Sequence, residues 1–300
     1  MAAHEVLTRA DATRTLDAIS PRLYKLRSWL HLHQFGVPTL RGIVVDGWSR
    51  EEEQAVRDFG DSMGTGELLL RSDRVAEMGK YPRGGSIVSL AELPGVVVGH
   101  IRDGRVVFLL EPVSPFSDLY SVNSASWPSD EFIIHEIVGP GFDASDLKRG
   151  DDSPHERYVL TKSRYGPIPP QRLEHYVIGS DAYRSSWMRR AAKVGQMLLD
   201  GGFRPASVGA SLQEVAAEGL SAMDEVLLLE HRDSYRAVPC QLIESVHDQV
   251  MDLRQRLQGG GLPGEPFALS MSYVGPGARP VYWDIVWPRF KYEGDTAISR

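Results

Sequence analysis

Short apolar runs, separated by charged or glycine-containing segments, dominate the middle of the chain and predict β-strands there. The predicted strands are Val96–Ile101, Val106–Val113, Leu119–Val122, Phe132–Val138 and Arg157–Leu160. Asp103-Gly104 stands between the first two runs, and this dipeptide is typical of a tight hairpin turn. The pattern therefore predicts a strand-dominated region from about Val96 to Leu160.

Helical spacing of apolar residues prevails in the last third of the chain, whereas helix and strand patterns alternate near its start. The predicted helices begin at Pro21 and Ser49, and later span Ala182–Leu199 and Gln241–Leu257. The remaining predicted strands are Arg41–Asp46, Glu67–Arg71, Phe267–Tyr273 and Val281–Val286. Gly259–Gly264 neither opens a helix nor ends in Gly-Lys-Ser/Thr, so it indicates a helix stop rather than a phosphate loop. Together these elements predict an α+β fold.

The composition is that of a globular protein, and it narrows the class of function. The 300 residues are 42% hydrophobic and 24% charged, with a net charge of −7. An acidic chain argues against a nucleic-acid-binding surface, and no stretch approaches the ~20 apolar residues that cross a bilayer. The single cysteine, Cys240, excludes an intramolecular disulfide. Because the N-terminus lacks a secretion signal, we expect a cytoplasmic protein with neither a membrane nor a nucleic-acid partner.

Cations near strand ends and glycines are candidates for binding a phosphate group. Arg71 ends the predicted strand Glu67–Arg71, where a rigidly placed guanidinium can grip phosphate oxygens in a bidentate manner. Segment Gly79–Ser86 combines Lys80 and Arg83 with three glycines, a composition that lets backbone N–H groups approach phosphates. From the residue types alone, a solvated strand-end arginine and an ordinary surface turn remain open alternatives.

Two further positions suggest an adenine slot and a metal ligand. Glu111-Pro112-Val113 ends the most apolar strand; it predicts either a linker between two lobes, where an adenine lodges, or a plain strand end. Asp284 is a carboxylate among strand-forming residues, so it faces solvent or binds a metal. The histidines indicate structural or surface roles. His31 and His33 lie on different faces of a helix, and His135 and His155 are isolated in the sequence.

The order of several short motifs resembles the ATP-binding domain of the phosphoenolpyruvate synthase and pyruvate phosphate dikinase family, a distant ATP-grasp fold. The motifs, in chain order, are Lys25 at a helix start, Gly36–Val45, Leu70–Asp73, Arg83–Gly85, Val106–Val113, Ile134–Glu136, Gly139–Gly141, Gly150 and Pro154–Tyr158. The resemblance implies an ATP-grasp-like fold of two lobes with mainly antiparallel sheets and flanking helices. We expect the lobes at residues 1–103 and 104–300, with a helical insertion at about 170–260.

The resemblance also implies ATP and Mg²⁺ as cofactors and assigns a role to each candidate residue. The expected nucleotide-binding residues are Lys25, Arg71, Lys80, Arg83, Gly84, Gly85, Glu111 and Val113. The expected metal ligands are Asp284 and Glu136, and the expected catalytic residues are Arg71, Lys25 and Arg289.

The chain departs from the family in its C-terminal part. Strand Phe267–Tyr273 contains no carboxylate where the family has a metal-binding strand, and the family's phosphohistidine domain is not part of this sequence. The expected activity is therefore that of an ATP-dependent phosphotransferase or ATP-grasp ligase, with a small-molecule or carboxylate substrate or a separate acceptor protein. The first alternative is a degenerate, non-catalytic nucleotide-binding or interaction protein. A weaker one is an enzyme that modifies nucleic-acid ends with Lys80 as nucleotide acceptor, although the acidic residue two positions after such a lysine is missing.

Overall fold

The structure is a computed structural model that describes residues 4–6, 8–75, 85–113, 118–127, 130–142, 153–162, 169–223, 227–230, 232–260, 267–274 and 279–286. Its helices are α1 (Arg9–Ala18), α2 (Tyr24–Gln34), α3 (Arg50–Ser62), α4 (Leu93–Arg102), α5 (Ser180–Asp200), α6 (Leu212–Ala222), α7 (Leu227–Glu230) and α8 (Cys240–Gly259). Its strands are β1 (His4–Val6), β2 (Gly42–Val45), β3 (Glu67–Asp73), β4 (Ser86–Ser89), β5 (Val106–Leu110), β6 (Asp118–Ser126), β7 (Phe132–Val138), β8 (Glu156–Thr161), β9 (Arg172–Val177), β10 (Phe267–Val274) and β11 (Arg279–Val286).

The strands form two sheets, and helices flank them. One sheet has five strands in the order β1-β2-β5-β3-β4, and the other has six in the order β11-β10-β6-β7-β8-β9. Neighbouring strands from β1 to β4 run antiparallel, as do β6 to β9. The prediction of an α+β fold with mainly antiparallel sheets is confirmed.

Contacts within the chain divide it into two compact units. Unit 1 comprises residues 1–113, 253–269 and 281–300, and unit 2 comprises residues 114–252 and 270–280. The first stretch of unit 1 thus ends at Val113, in the segment for which the sequence predicts a linker. The predicted division into lobes at residue 103 stays a prediction.

One face of the five-stranded sheet forms the main core of unit 1. Alternate residues of β3 and β5 point to that face and pack under α3 and α4, because successive side chains of a strand alternate between faces. The buried residues are Ile43, Val45, Val56, Phe59, Leu68, Leu70, Val88, Leu93, Val97, Val107 and Leu109. Helix α3 begins with a capping box in which Ser49 and Glu52 each bind the other's backbone N–H, as the sequence predicts. The side chains of Leu69, Arg71 and Asp73 on β3 point to the opposite face of this sheet.

The core of unit 2 lies where the end of β7 meets α5 and α6. Val138 and Phe142 pack against buried apolar residues of these two helices, which are Trp187, Ala191, Val194, Ala216 and Leu220. The helices approach closely because Gly195 faces the start of α6. A Cβ on Gly195 would lie 1.9 Å from the carbonyl oxygen of Leu212, so any side chain there would force α5 and α6 apart.

The predicted strand Val96–Ile101 is wrong, because this segment lies in helix α4. Leu93 and Val97 are four residues apart and both bury in the unit 1 core, which is the spacing of one helical face. Asp103-Gly104 ends the helix instead of turning a hairpin. Gly104 has a φ of 72°, and the N–H of Arg105 reaches back to the carbonyl oxygen of His100 at 3.0 Å, as in a Schellman ending.

Other differences from the sequence prediction are smaller. Helix α2 begins at Tyr24, so Pro21 lies before it rather than in its first turn. Strand β9 was not predicted, and all six of its residues are exposed. Among the described residues, no helix combines the length and the apolar character needed to cross a membrane.

Candidate functional site

Arg71 and Asp284 form the centre of the candidate site in unit 1. The Nη2 atom of Arg71, on β3, donates to Oδ1 of Asp284, on β11, at 3.1 Å. Nη1 of the same guanidinium donates to the carbonyl oxygen of Trp283 at 3.3 Å. The side chains of Arg71 and Asp284 are only 10% and 19% exposed. Two candidates that are 213 residues apart in sequence thus share one partly buried ion pair.

The guanidinium of Arg71 is also fixed by an aromatic ring. Phe108 is the cross-strand partner of Arg71 on β5, and the guanidinium carbon lies 5.4 Å from the centre of its ring. Trp29 of α2 stacks on Phe108, with the two ring centres 5.7 Å apart. A cation over an aromatic face gains electrostatic stabilisation that is independent of its carboxylate partner. Arg71 is therefore held from more than one direction.

The N-terminus of α2 is attached to the same face of β3. Oδ2 of Asp73 accepts hydrogen bonds from the backbone N–H groups of Lys25, at 2.7 Å, and Leu26, at 3.1 Å. Asp73 follows Arg71 by two residues, so both side chains point to one face of the strand. Burial raises the pKa of Asp73, while its backbone hydrogen bonds and the charge of Lys25 oppose that rise. The carboxylate caps the helix from a remote segment and brings Lys25 to the strand of Arg71.

Strand β11 is positioned by α2 and the segment after it. The backbone N–H of Ile285 donates to Oγ of Ser28 at 2.7 Å. The backbone N–H of Tyr282 donates to the carbonyl oxygen of Pro38 at 2.9 Å, and the hydroxyl of Thr39 donates to the carbonyl oxygen of Tyr282 at 2.7 Å. Because these bonds lie on both sides of Asp284, its backbone is fixed relative to α2.

The other nucleotide-binding candidates are only partly within the described residues. The backbone N–H of Glu111 donates to the carbonyl oxygen of Arg41 at 2.9 Å and extends the pairing of β2 with β5, and Val113 follows at the end of that stretch. Gly85 lies just before β4, where a Cβ would approach Leu69 Cδ1 to 2.5 Å. Lys80, Arg83, Gly84 and Arg289 lie outside the described residues.

Glu136 belongs to unit 2 and has a different environment from Asp284. It stands on β7 between its cross-strand partners Asn123 of β6 and Arg157 of β8. Burial raises the pKa of Glu136, whereas the charge of Arg157 and a hydrogen bond from Asn123 oppose that rise. The two candidate metal ligands, Asp284 and Glu136, thus lie in different units. Among the described residues there is no group of three acidic, histidine or cysteine side chains arranged to hold a metal.

His135 is isolated in the sequence but contacts another histidine in the structure. His135 is fully buried, and its Nδ1 lies 2.8 Å from Oγ of Ser124 while its Nε2 lies 3.1 Å from Nδ1 of His247. His155 is also buried, and its Nδ1 accepts from the backbone N–H of Gly139 at 3.0 Å. His247 is 112 residues from His135, so no local sequence pattern indicates this contact. The structural or surface roles of the histidines stay a prediction.

No family model matches the chain, and no curated protein does either. Several solved structures are similar to it. The ATP-grasp ligase PsnB, complexed with a minimal precursor, is 12% identical with a TM-score of 0.37, over 97% of this chain and 64% of PsnB. Carboxyaminoimidazole ribonucleotide synthase from Aspergillus clavatus, complexed with ATP, is 10% identical with a TM-score of 0.41, over 92% of this chain and 50% of that one.

A third similar structure is D-alanyl-alanine synthetase A from Vibrio cholerae, which is 8% identical with a TM-score of 0.40 over 93% of this chain and 58% of that one. The chain therefore spans between 50% and 64% of the length of these three proteins. The resemblance to the phosphoenolpyruvate synthase family stays a prediction.

Proposed function

We propose that this chain binds ATP with Mg²⁺ on an ATP-grasp-like fold and serves an ATP-dependent ligase that activates a carboxylate as an acyl phosphate. The observation that carries the proposal is the contact between Arg71 and Asp284. The sequence selects the first for phosphate and the second for a metal, and they lie 3.1 Å apart in unit 1. Asp73, two residues after Arg71, binds the backbone N–H of Lys25 and so holds the start of α2 at the same strand.

The chemistry of these residues fits a magnesium nucleotide. Mg²⁺ in nucleotide sites takes one or two protein carboxylates, and phosphate oxygens and water complete its coordination. Asp284 supplies such a carboxylate, and Arg71 supplies the planar donor fork that matches a phosphate group. When bound, ATP would supply the phosphoryl group and Mg²⁺ would neutralise part of its charge, and the side chains of Lys25 and Arg71 would orient the phosphates.

The remaining candidates complete the proposal. Lys80, Arg83, Gly84 and Gly85 cover the phosphates, while Glu111 and Val113 contact the adenine. Arg289 assists the transfer, and Glu136 is the second candidate for the metal. The acceptor is a small-molecule carboxylate or a separate acceptor protein, and a phosphotransferase that uses the same nucleotide site is the closest variant.

A non-catalytic nucleotide-binding protein is the second candidate function. It is favoured by β10, which carries no acidic side chain along Phe267–Val274, and by the ion pair that already neutralises Asp284. Under this alternative the chain binds nucleotide with equal affinity in the presence and absence of Mg²⁺.

Calorimetric titration of the intact chain with ATP, with and without Mg²⁺, tests the proposal. We expect Mg²⁺ to increase the affinity for ATP, and Arg71→Ala to lower it by about tenfold or more, the effect of losing a charged hydrogen bond. Arg57→Ala is the matched control, because Arg57 pairs with Glu53 on the exposed surface of α3. Full ATP affinity in Arg71→Ala, or no ATP binding by the parent chain, would contradict the proposal.

Two further variants separate loss of binding from loss of folding. Arg71→Lys keeps a cation beside Asp284 but removes the donor fork, so we expect a folded protein with weakened ATP binding. Asp284→Asn keeps the size of the side chain, so we expect ATP binding that no longer responds to Mg²⁺. Circular dichroism of each variant establishes that it is folded.

A further inference from the structure

A row of polar side chains crosses four neighbouring strands of the six-stranded sheet in unit 2. Asn123 pairs with Glu136, Glu136 with Arg157, and Arg157 with Tyr176. Directly paired residues point to the same face with their Cβ atoms about 5 Å apart. The row therefore places an amide, a carboxylate and a guanidinium side by side on one face.

The three polar members of the row are neither deeply buried nor fully exposed. Asn123, Glu136 and Arg157 are all half-buried, and the Arg157 side chain is 37% exposed. The next row along the same face comprises Ala125, Ile134, Val159 and, on β9, Glu174, so three of its four members are apolar. Binding sites for small molecules combine apolar side chains with a few polar groups, and the two rows together provide both.

Two atoms of the row are buried and have no hydrogen-bond partner among the described residues. They are the acceptor Oδ1 of Asn123 and the donor Nε–H of Arg157. The ion-pair partner of Arg157 is Glu174, whose Oε1 lies 3.8 Å from Nη1, so this contact leaves Nε unused. Buried polar groups are nearly always satisfied, and an orphaned donor and acceptor in one row indicate a ligand that supplies their complements.

The chemistry of the row identifies the class of that ligand. The Nε–H of Arg157 needs an anionic acceptor, and a guanidinium binds a carboxylate through parallel N–H groups. Asn123 Oδ1 and the carboxylate of Glu136 are neighbouring acceptors, so they need a group with several N–H donors, which an ammonium provides. Glu136 and Arg157 stand on adjacent strands about 4.8 Å apart, and Asn123 stands on the next strand beyond Glu136. We propose that the row formed by Asn123, Glu136 and Arg157 binds an α-amino acid, with its ammonium at Asn123 and Glu136 and its carboxylate at Arg157.

This assignment gives Glu136 an organic cation instead of Mg²⁺. Asn123 and Arg157 are the residues opposite Glu136, so these three residues supply a single carboxylate. The role of the amino acid as a substrate rests on the proposed function, because a ligase joins a carboxylate to an amine. Its binding in unit 2 depends only on the row itself.

Ligand-observed NMR of the intact chain with each standard amino acid and with D-alanine tests the assignment. We expect at least one amino acid to bind, and its decarboxylated amine and deaminated acid to bind about tenfold more weakly or worse. Glu136→Gln and Arg157→Gln are expected to lower the affinity by a similar factor. Arg184→Gln is the matched control, since Arg184 lies on the exposed surface of α5.

Three results would overturn the assignment. They are that no amino acid binds, that Glu136→Gln and Arg157→Gln both bind it with unchanged affinity, and that Mg²⁺ binds the chain in a way that Glu136→Gln abolishes. Arg157→Lys keeps the positive charge but removes the guanidinium donor fork, so we expect it to retain part of the affinity for the amino acid. Partial binding by this variant shows that a loss of binding in Arg157→Gln is not caused by misfolding. ATP titration of the same samples distinguishes the two proposals, because the nucleotide site is probed by Arg71→Ala and not by the row variants.

Discussion

At the scale of single residues, the unit 1 site depends on side chains that bind backbone groups of remote segments. Asp73 caps the start of α2 from strand β3, and Ser28 of α2 holds Ile285 of β11. Helix α2 has no cap from its own N-cap residue, Leu23. The carboxylate of Asp73 is therefore what satisfies the first N–H groups of this helix.

Replacing Asp73 by alanine removes that cap. We expect Asp73→Ala to lower the free energy of unfolding by about 1–2 kcal/mol, since two buried N–H groups lose their acceptor. Asp73→Asn keeps an acceptor oxygen in the same place and is expected to lose less. Urea unfolding of the two variants measures the difference. Equal stability of the parent and Asp73→Ala would show that the cap is dispensable.

His135 makes the stability of the chain dependent on pH. Burial and the neighbouring His247 lower the pKa of His135 well below its ordinary value near 6.5. The unfolded chain then binds a proton at a higher pH than the folded chain does. The stabilisation is thus present in full above pH ~6.5 and is lost as the pH falls from there towards the lowered pKa, by up to about 1.4 kcal/mol per pH unit.

The replacement His135→Gln removes this group while keeping polar atoms beside Ser124. We expect the variant to lose part of the decline in unfolding free energy between pH 6.5 and pH 5. A residual decline remains, because burial also lowers the pKa of His31 and His33. Urea unfolding at several pH values measures how steeply the free energy of unfolding changes with pH in the parent and in the variant. Identical slopes in the parent and the variant would mean that His135 is not protonated on unfolding in this range.

The sequence could identify Arg71 and Asp284 as candidates but could not pair them. Each is a charged residue next to an apolar strand pattern, which is a local property. Their contact across 213 residues depends on the hydrogen bonds that hold β11 to α2, which no local pattern encodes. The partners of Glu136 were missed for the same reason, because cross-strand register is set by tertiary packing.

At the scale of elements, α4 shows how a β-branched run misleads. The segment Val96-Val97-Val98 has a strand composition, but Pro94 suits a helix start and Leu93 with Val97 forms a helical core face. The burial of Leu93 and Val97 on one face of α4 outweighs the preference of the valines for β-strands. By contrast, β7 has the predicted bounds, and β5 begins at the predicted residue Val106 but ends at Leu110 rather than at Val113.

Two glycines of this region allow a paired test of the helix ending. Gly104 has a φ of 72°, and a Cβ there would meet no atom within 4 Å, so Gly104→Ala acts only through backbone strain. We expect it to destabilise the chain by about 1 kcal/mol. Gly99→Ala, inside α4 and equally open, is expected to stabilise by about 0.5–1 kcal/mol. Thermal unfolding that shifts both variants in the same direction would contradict the Schellman ending.

At the scale of the whole molecule, the chain enters unit 1 three times. Residues 1–113 form most of it. Residues 253–269 return to it before the last stretch of unit 2, residues 270–280, and residues 281–300 return to it after that stretch. The returning strand β11 brings Asp284 to Arg71 and places Ile285, which is 2% exposed, in the interior. Unit 1 is therefore discontinuous in sequence, and its candidate site is assembled only when the last part of the chain is in place.

This discontinuity predicts that residues 1–113 do not fold cooperatively when produced alone. The fragment would lack β11, so Arg71 would lose its carboxylate, Ser28 would lose the N–H of Ile285, and the apolar surface under β11 would be exposed to water. Near-ultraviolet circular dichroism during heating tests this, with the intact chain as the control, because fixed packing of Trp29 gives a signal that disappears at a sharp transition. A sharp transition in the fragment would show that unit 1 folds without its returning segments. It would then follow that the ion pair at the candidate site is added to a finished fold, and that Arg71 is positioned by Phe108 and its own strand alone.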